Sequence, residues 1–411
     1  MLYQLKNKVS QKCGFKIKNR GDCVRLSNMI VIDSGIDISY NTLRRFYGIV
    51  KGTKPNSSTL NTLSIYVGYS SYVDFCTAYP QKKNWDIHQK IYNNIVINSK
   101  YALALMEDEF ISPENYLELL ITMIGGLTFT KNIDILKLVF NSPLLNPKRY
   151  NYSEILYIGN CVGPMLKQME TPIQEFISTK YFTPTIFNSF IDISSLNGYY
   201  GTYCKNIAKK TSDKEQILFT SCIIELSKYL NNQPLTLVTT TLNIKQIHPI
   251  LYGRFKGIEI LKRDFSDKES HTLSFISAIA KKKNKIDYLY EFLFACILAG
   301  EVQLLKFVQE STAHYKISKP YYQEYHYSLF ELRDTIVKLK SGANISKKLI
   351  KLKNETLFRN SHRDFIELFI SILDYHNSGK KRTKLDIYLA KARRLNYPVF
   401  DKAYCVNYFS N

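Results

Sequence analysis

Residues 286–309 read IDYLYEFLFACILAGEVQLLKFVQ, an apolar run cut once, at Gly300, and then resumed. A half-buried strand alternates over a few residues, whereas this run is longer and its apolar positions recur at three- and four-residue spacing. It predicts a helix, a break and a second helix. PENYLELLITMIGGLTFTKNIDILKLVF (113–140) repeats the design, with its Gly pair as the expected break, and residues 251–265 and 365–395 are looser versions. Only 17 Gly and 12 Pro punctuate 411 residues, too few for a turn-rich β architecture. The expected class is all-α. Helix hairpins that bury one face against their neighbours point to an α-solenoid or irregular helical-repeat body over residues 85–411. At about 40 residues per hairpin, seven or eight would fill it.

Charge adds a second constraint. The net charge is +21, of which residues 1–80 carry +7 and residues 331–411 carry +9. Basic charge gathered at two ends favours phosphate-rich partners through counterion release, without specifying a sequence. It is equally what lysine-coated helices carry in water. The eight cysteines are scattered singly, with no C-x-x-C and no Cys/His pair at zinc spacing, so they read as reduced core residues. Glu291, Glu301 and Lys306 interrupt the most apolar stretch, which excludes a bilayer span there. The opening MLYQLKNKVSQK lacks the apolar stretch of a signal peptide, and the expected location is cytoplasmic.

Residues 1–80 read as five short helices. Leu2, Leu5 and Val9 mark the first, and Asp22 is the expected cap of a second carrying Leu26, Met29, Ile30 and Val31. Ser39 is a plausible N-cap for ISYNTLRRFYGIV, with Leu43, Phe46 and Tyr47 as its buried stripe. KGTKPNS is a loop, SSTLNTLSIYVGY a fourth helix and SSYVDFCTAY a fifth.

Four features of this segment, Ser39–Gly48, Lys54–Pro55, Thr59–Leu60 and Val67–Gly68, resemble the helix-turn-helix domains of the phage-repressor (lambda-repressor-like) class. The family's tight connection is lengthened here by VIDSGID, between Ile30 and Ile38. The resemblance implies a DNA-binding head whose recognition helix presents Tyr40, Asn41, Arg44 and Arg45. Arg suits guanine and Asn suits adenine, since each bonds bidentately in the major groove. Lys51 and Lys54 in the following loop suit phosphates. The body looks like a degenerate tetratricopeptide-type array. The combined layout resembles bacterial regulators that join a repressor-type head to such a sensor body.

Nothing in the sequence supports catalysis. HNSGKKRT (376–383) lacks the upstream glycine and strand of a phosphate-binding loop. The seven histidines form no metal constellation, and His362, in RNSHRDF, reads as a capping or surface residue. HYKISKPYYQEYHYSLF (314–330) offers Tyr321, Tyr322, Tyr325 and Tyr327 either as partner anchors or as a packing layer between helices. The expectation is a non-enzyme without cofactor: a DNA-binding transcriptional regulator with duplex DNA on its head and a peptide or protein on its body. No membrane is expected, and a homodimer is compatible. Two alternatives remain. One is a scaffold whose head docks protein; the other is an RNA-associated helical-repeat protein using the basic segments 347–353 and 380–384.

Overall fold

A computed structural model of the protein describes residues 2–50, 55–78, 89–93, 95, 116–167, 173–262, 265–282, 285–313, 315, 323–355 and 362–410. The described residues are helical, with no strand among them. The chain divides into two compact units, residues 1–93 and 94–411.

The first unit holds α1 (Leu2–Cys13), α2 (Arg20–Ser34), α3 (Tyr40–Phe46), α4 (Ser57–Tyr66) and α5 (Tyr72–Ala78). Their boundaries are written in side chains. Asn19, rather than Asp22, is the N-cap of α2: its Oδ1 accepts from the Asp22 N–H at 3.0 Å, while the Asp22 carboxylate accepts from the Asn19 N–H at 3.0 Å. Asp22 therefore serves as the third residue of a reciprocal capping box. The segment VIDSGID does not become a long loop. Val31–Ser34 continue α2, Gly35 closes it in the left-handed conformation, and only residues 35–39 connect to α3. Leu5, Val9, Leu26, Ile30, Leu43, Phe46, Leu63, Tyr66 and Phe75 form one buried core. Leu2 and Val31, expected inside, are about two-fifths exposed, and Ile65 is 36% exposed.

The second unit begins among the described helices with α6 (Tyr116–Phe129), α7 (Ile133–Asn141) and α8 (Tyr152–Lys167). The Gly125–Gly126 pair does not break α6, contrary to expectation. The helix runs through it and stops at Thr130–Asn132, where Lys131 takes a φ of 55°. These glycines instead admit neighbours, since a Cβ on Gly126 would lie 2.9 Å from Ile95 and one on Gly125 would lie 3.1 Å from Met165. Short helical turns lead to α9 (Tyr199–Lys210) and α10 (Lys214–Leu230). Then follow α11 (Pro249–Lys262), α12 (Phe265–Ile279), α13 (Lys285–Ala299) and α14 (Val302–Ser311). The last group is α15 (Gln323–Lys340), α16 (Ser346–Glu355), α17 (Arg363–Asn377), α18 (Arg382–Leu395) and α19 (Lys402–Asn407).

From α11 onward, alternate helices stack: α11 on α13, α13 on α15 and α15 on α17, with the intervening helices packed beside them. The closest pair is α11 and α13. A Cβ on Gly253 would collide with the Tyr288 carbonyl oxygen, and one on Gly257 would sit 2.7 Å from the Ala295 Cβ. Gly300 breaks the chain as expected, at a φ of 69°.

A separate feature crosses this array. The segment 397–408 lies back across much earlier helices. The Tyr397 hydroxyl donates to the Ile193 carbonyl at 2.6 Å and accepts from the Leu196 N–H at 2.9 Å. Tyr404 and Tyr408 donate to the carbonyls of Leu298 and Ile297, at 2.7 and 2.8 Å. This strap ties the ends of a helix stack that would otherwise touch only near neighbours.

Candidate functional site

In the head, seven residues of α3 are presented by local chemistry. Ser39 Oγ accepts from the Asn41 N–H at 3.2 Å and starts the helix. Leu43 and Phe46 anchor it in the core, so Asn41 and Arg45 face outward and are exposed, while Tyr40 and Arg44 are half-buried. Arg44 Nη1 donates to Asn41 Oδ1 at 3.0 Å, which ties two of the expected base readers together. Arg45 forms no side-chain hydrogen bond or ion pair among the described residues. Sequence reasoning missed Arg20. Its guanidinium lies 5.3 Å from the Tyr40 ring centroid, and Nη2 reaches the Tyr40 hydroxyl at 3.4 Å. The signal was absent because the pair joins the start of α2 to the start of α3. Lys51 and Lys54 lie outside the described residues.

In the body, Tyr321 and Tyr322 also lie outside the described residues. Tyr325 and Tyr327 fall within α15, in a stretch whose side chains are not described. What the body does bring together is a cavity of about 900 Å³ elsewhere, walled by α8, α9, α10, α11 and α13. The α8 wall is built by helical spacing: Tyr152, Ile155, Leu156 and Asn160 share one half-buried face.

The cavity floor is an ionic network. Arg254 and Glu291, each 4% exposed, pair at 2.7 Å across the α11–α13 contact. Glu291 also faces His362 Nε2 at 3.5 Å, and His362 Nδ1 lies 3.0 Å from the Tyr290 hydroxyl. A neutral imidazole protonated at Nε2 would point its proton at Glu291 and accept the tyrosine's at Nδ1. Burial alone would raise the Glu291 pKa, but Arg254 and His362 outweigh it and hold the carboxyl at about 2. Burial, aided by the Arg254 charge, lowers His248 to about 4, so this wall imidazole is neutral at pH 7. Arg254 Nε has no acceptor in the protein. His362 occupies the cap position of α17 but is only 1% exposed, so it is neither a surface residue nor a side-chain cap.

The rest of the lining is uncharged or already engaged. Glu215 accepts the His248 backbone N–H at 2.6 Å, and Asp213 caps α10 by accepting from the Gln216 N–H at 2.7 Å. Asn188 and Gln216 hydrogen-bond each other through their carboxamides, at 2.8 and 3.3 Å. Asn160 and Asn206, both half-buried on the lining, make no side-chain hydrogen bond among the described residues.

Sequence reasoning noted Glu291 only as an interruption of an apolar run. Its partner Arg254 sits 37 residues earlier, and nothing in the local pattern announces the pairing. No group of His, Cys, Asp or Glu among the described residues is arranged to hold a metal ion. No helix among them is long and apolar enough to cross a membrane. No family model matches this chain, and comparison with curated proteins and with solved structures returns no match.

Proposed function

We propose that the chain is a DNA-binding transcriptional regulator, in which the head engages duplex DNA through α3 and the helical body receives a peptide or protein partner. The observation that carries the reading is the outward face of α3. Arg45 there is exposed without a partner, Asn41 stands one turn before it, and Arg20 and Arg44 lie alongside. A capped helix on a compact support, with its cations unspent, is suited to a groove lined by phosphates and base edges.

The test is binding of the full chain to duplex DNA as salt is varied. Substituting Arg44 and Arg45 with Ala is expected to cost about 1–3 kcal/mol per lost base contact and to relax specificity. Substituting Lys54 is expected to weaken all sequences alike and flatten the salt dependence. Unchanged DNA binding by the double arginine variant would remove α3 as the reader.

One observation favours a second reading, in which the head docks protein. Val24, Val31 and Ile32 expose an apolar stripe on α2, with Ile32 81% exposed. Substituting Ile32 with Lys separates the readings, because a DNA reader retains its affinity and a protein-docking head loses its partner.

A further inference from the structure

The cavity in the body is the feature left unexplained by a DNA-binding head. Its volume of about 900 Å³ lies within the range of small-molecule sites, and it is formed by five helices without any help from the head. The question is what chemistry it selects.

Charge removes one class of ligand. Three carboxylates, Asp213, Glu215 and Glu291, face two cations, Lys210 and Arg254, on the lining. The deep cation is already neutralised by Glu291 at 2.7 Å. An acid placed beside Arg254 would therefore bring a second carboxylate against Glu291 in a site shielded from water, where like charges repel strongly. A cation would meet the buried guanidinium at the same place. The floor tolerates an acceptor that carries no charge.

The remaining groups say what that acceptor belongs to. Arg254 keeps an N–H without an acceptor at the deep end. Asn160 and Asn206 keep whole carboxamides unpaired on the walls, each offering a donor and an acceptor side by side. The Asn188–Gln216 pair shows the same complementarity satisfied within the protein. Between floor and rim, Ile155, Leu156, Ile207, Leu251 and Phe219 supply apolar contact. A group that matches a carboxamide at both of its ends is another amide.

We infer that this cavity binds an uncharged small molecule bearing secondary amide groups, with an amide carbonyl accepting from Arg254 and amide or hydroxyl groups paired to Asn160 and Asn206. Acetamido sugars and blocked peptides share that chemistry. The inference goes beyond DNA recognition and stands or falls without it, since its test contains no DNA.

Isothermal titration and thermal shift of the full chain would be measured with N,N′-diacetylchitobiose and with an N-acetylated, C-amidated trialanine. Succinate is the charged control. Expected is saturable binding of at least one neutral probe and none of succinate; the probe that binds names the source. Asn206→Leu and Asn160→Leu, each keeping side-chain volume, should weaken that binding roughly ten- to hundredfold with the unliganded melting temperature unchanged. Ile155→Trp, which fills the cavity from a half-buried wall position, should abolish it. Three outcomes overturn the inference: no binding of either neutral probe at millimolar concentration, preferential binding of succinate, or parental affinity in both asparagine variants.

Discussion

The two basic regions of the chain handle their charge in opposite ways. Near the C-terminal end, carboxylates are shared between cations. Asp374 takes Lys353 and Lys384 at 3.1 and 2.9 Å, and Glu367 takes Arg363 and Lys391 at 3.2 and 3.0 Å. Glu331 lies 3.6 Å from both Lys348 and Lys351. In the head, Lys12 pairs with Asp33 at 3.1 Å, but the cations of α3 meet no carboxylate. A similar excess on paper thus becomes an interlocked surface in one region and an available one in the other. Net charge by segment does not distinguish them; the placement of the few acids does.

The contrast extends inward, because the body stakes its stability on buried polar pairs and the head on caps and a small apolar core. The largest effect is expected at Glu291. Glu291→Gln leaves Arg254 buried without its counter-ion and should cost the body about 3–5 kcal/mol at pH 7. Hydrogen exchange resolved by segment should show the loss in residues 94–411 and none in α1–α5. The acid's pKa is depressed in the folded state, so its contribution is present above pH 4.5 and fades toward pH 2. The gap between parent and variant should narrow over that window.

Asp287 runs the other way. Burial pushes its carboxyl up to about 6, so the folded state disfavours the charged form and stability falls as pH rises from about 4 to 6. Asp287→Asn should therefore stabilise the protein at pH 7, by up to about 3 kcal/mol. The gain should vanish near pH 4 in denaturant titrations. A variant less stable than the parent at pH 7 would mean that the carboxylate has a partner worth more than its desolvation.

The strap comes next. Tyr397→Phe combined with Tyr404→Phe removes hydroxyls that bond buried backbone groups and should cost about 1 kcal/mol each. Chemical denaturation should register this as a lower midpoint. The smallest effect belongs to the head, where Asn19→Ala removes the α2 cap for about 1 kcal/mol. It should appear as faster exchange in α2 alone, leaving the body unchanged.

The helices were legible in the sequence because their apolar period is local. Ser39 as a cap and Gly300 as a break were legible for the same reason, each acting within a few residues of itself. Gly125–Gly126 misled because glycine serves both chain reversal and close packing, and only the presence of Ile95 and Met165 decides between them. The α3 face could be read from the order of Arg44 and Arg45 against Leu43 and Phe46. The cavity could not. Arg254, Glu291 and His362 come from helices 37 and more residues apart, and their meeting depends on how tightly Gly253 and Gly257 let α11 approach α13.

The strap has a consequence in time as well as in stability. Helices stacked on near neighbours in sequence close small loops and can assemble rapidly. The strap's hydrogen bonds span 106 to 204 residues, so each must wait until the distant surface it seals exists. During synthesis, residues 193–298 leave the ribosome well before 397–408. The carbonyls of Ile193, Ile297 and Leu298 then face water until their tyrosines arrive. The body should therefore pass through a helical but unlatched stage, and refolding kinetics should end in a slow phase that the Tyr397 and Tyr404 substitutions alter while leaving the early gain of helicity intact.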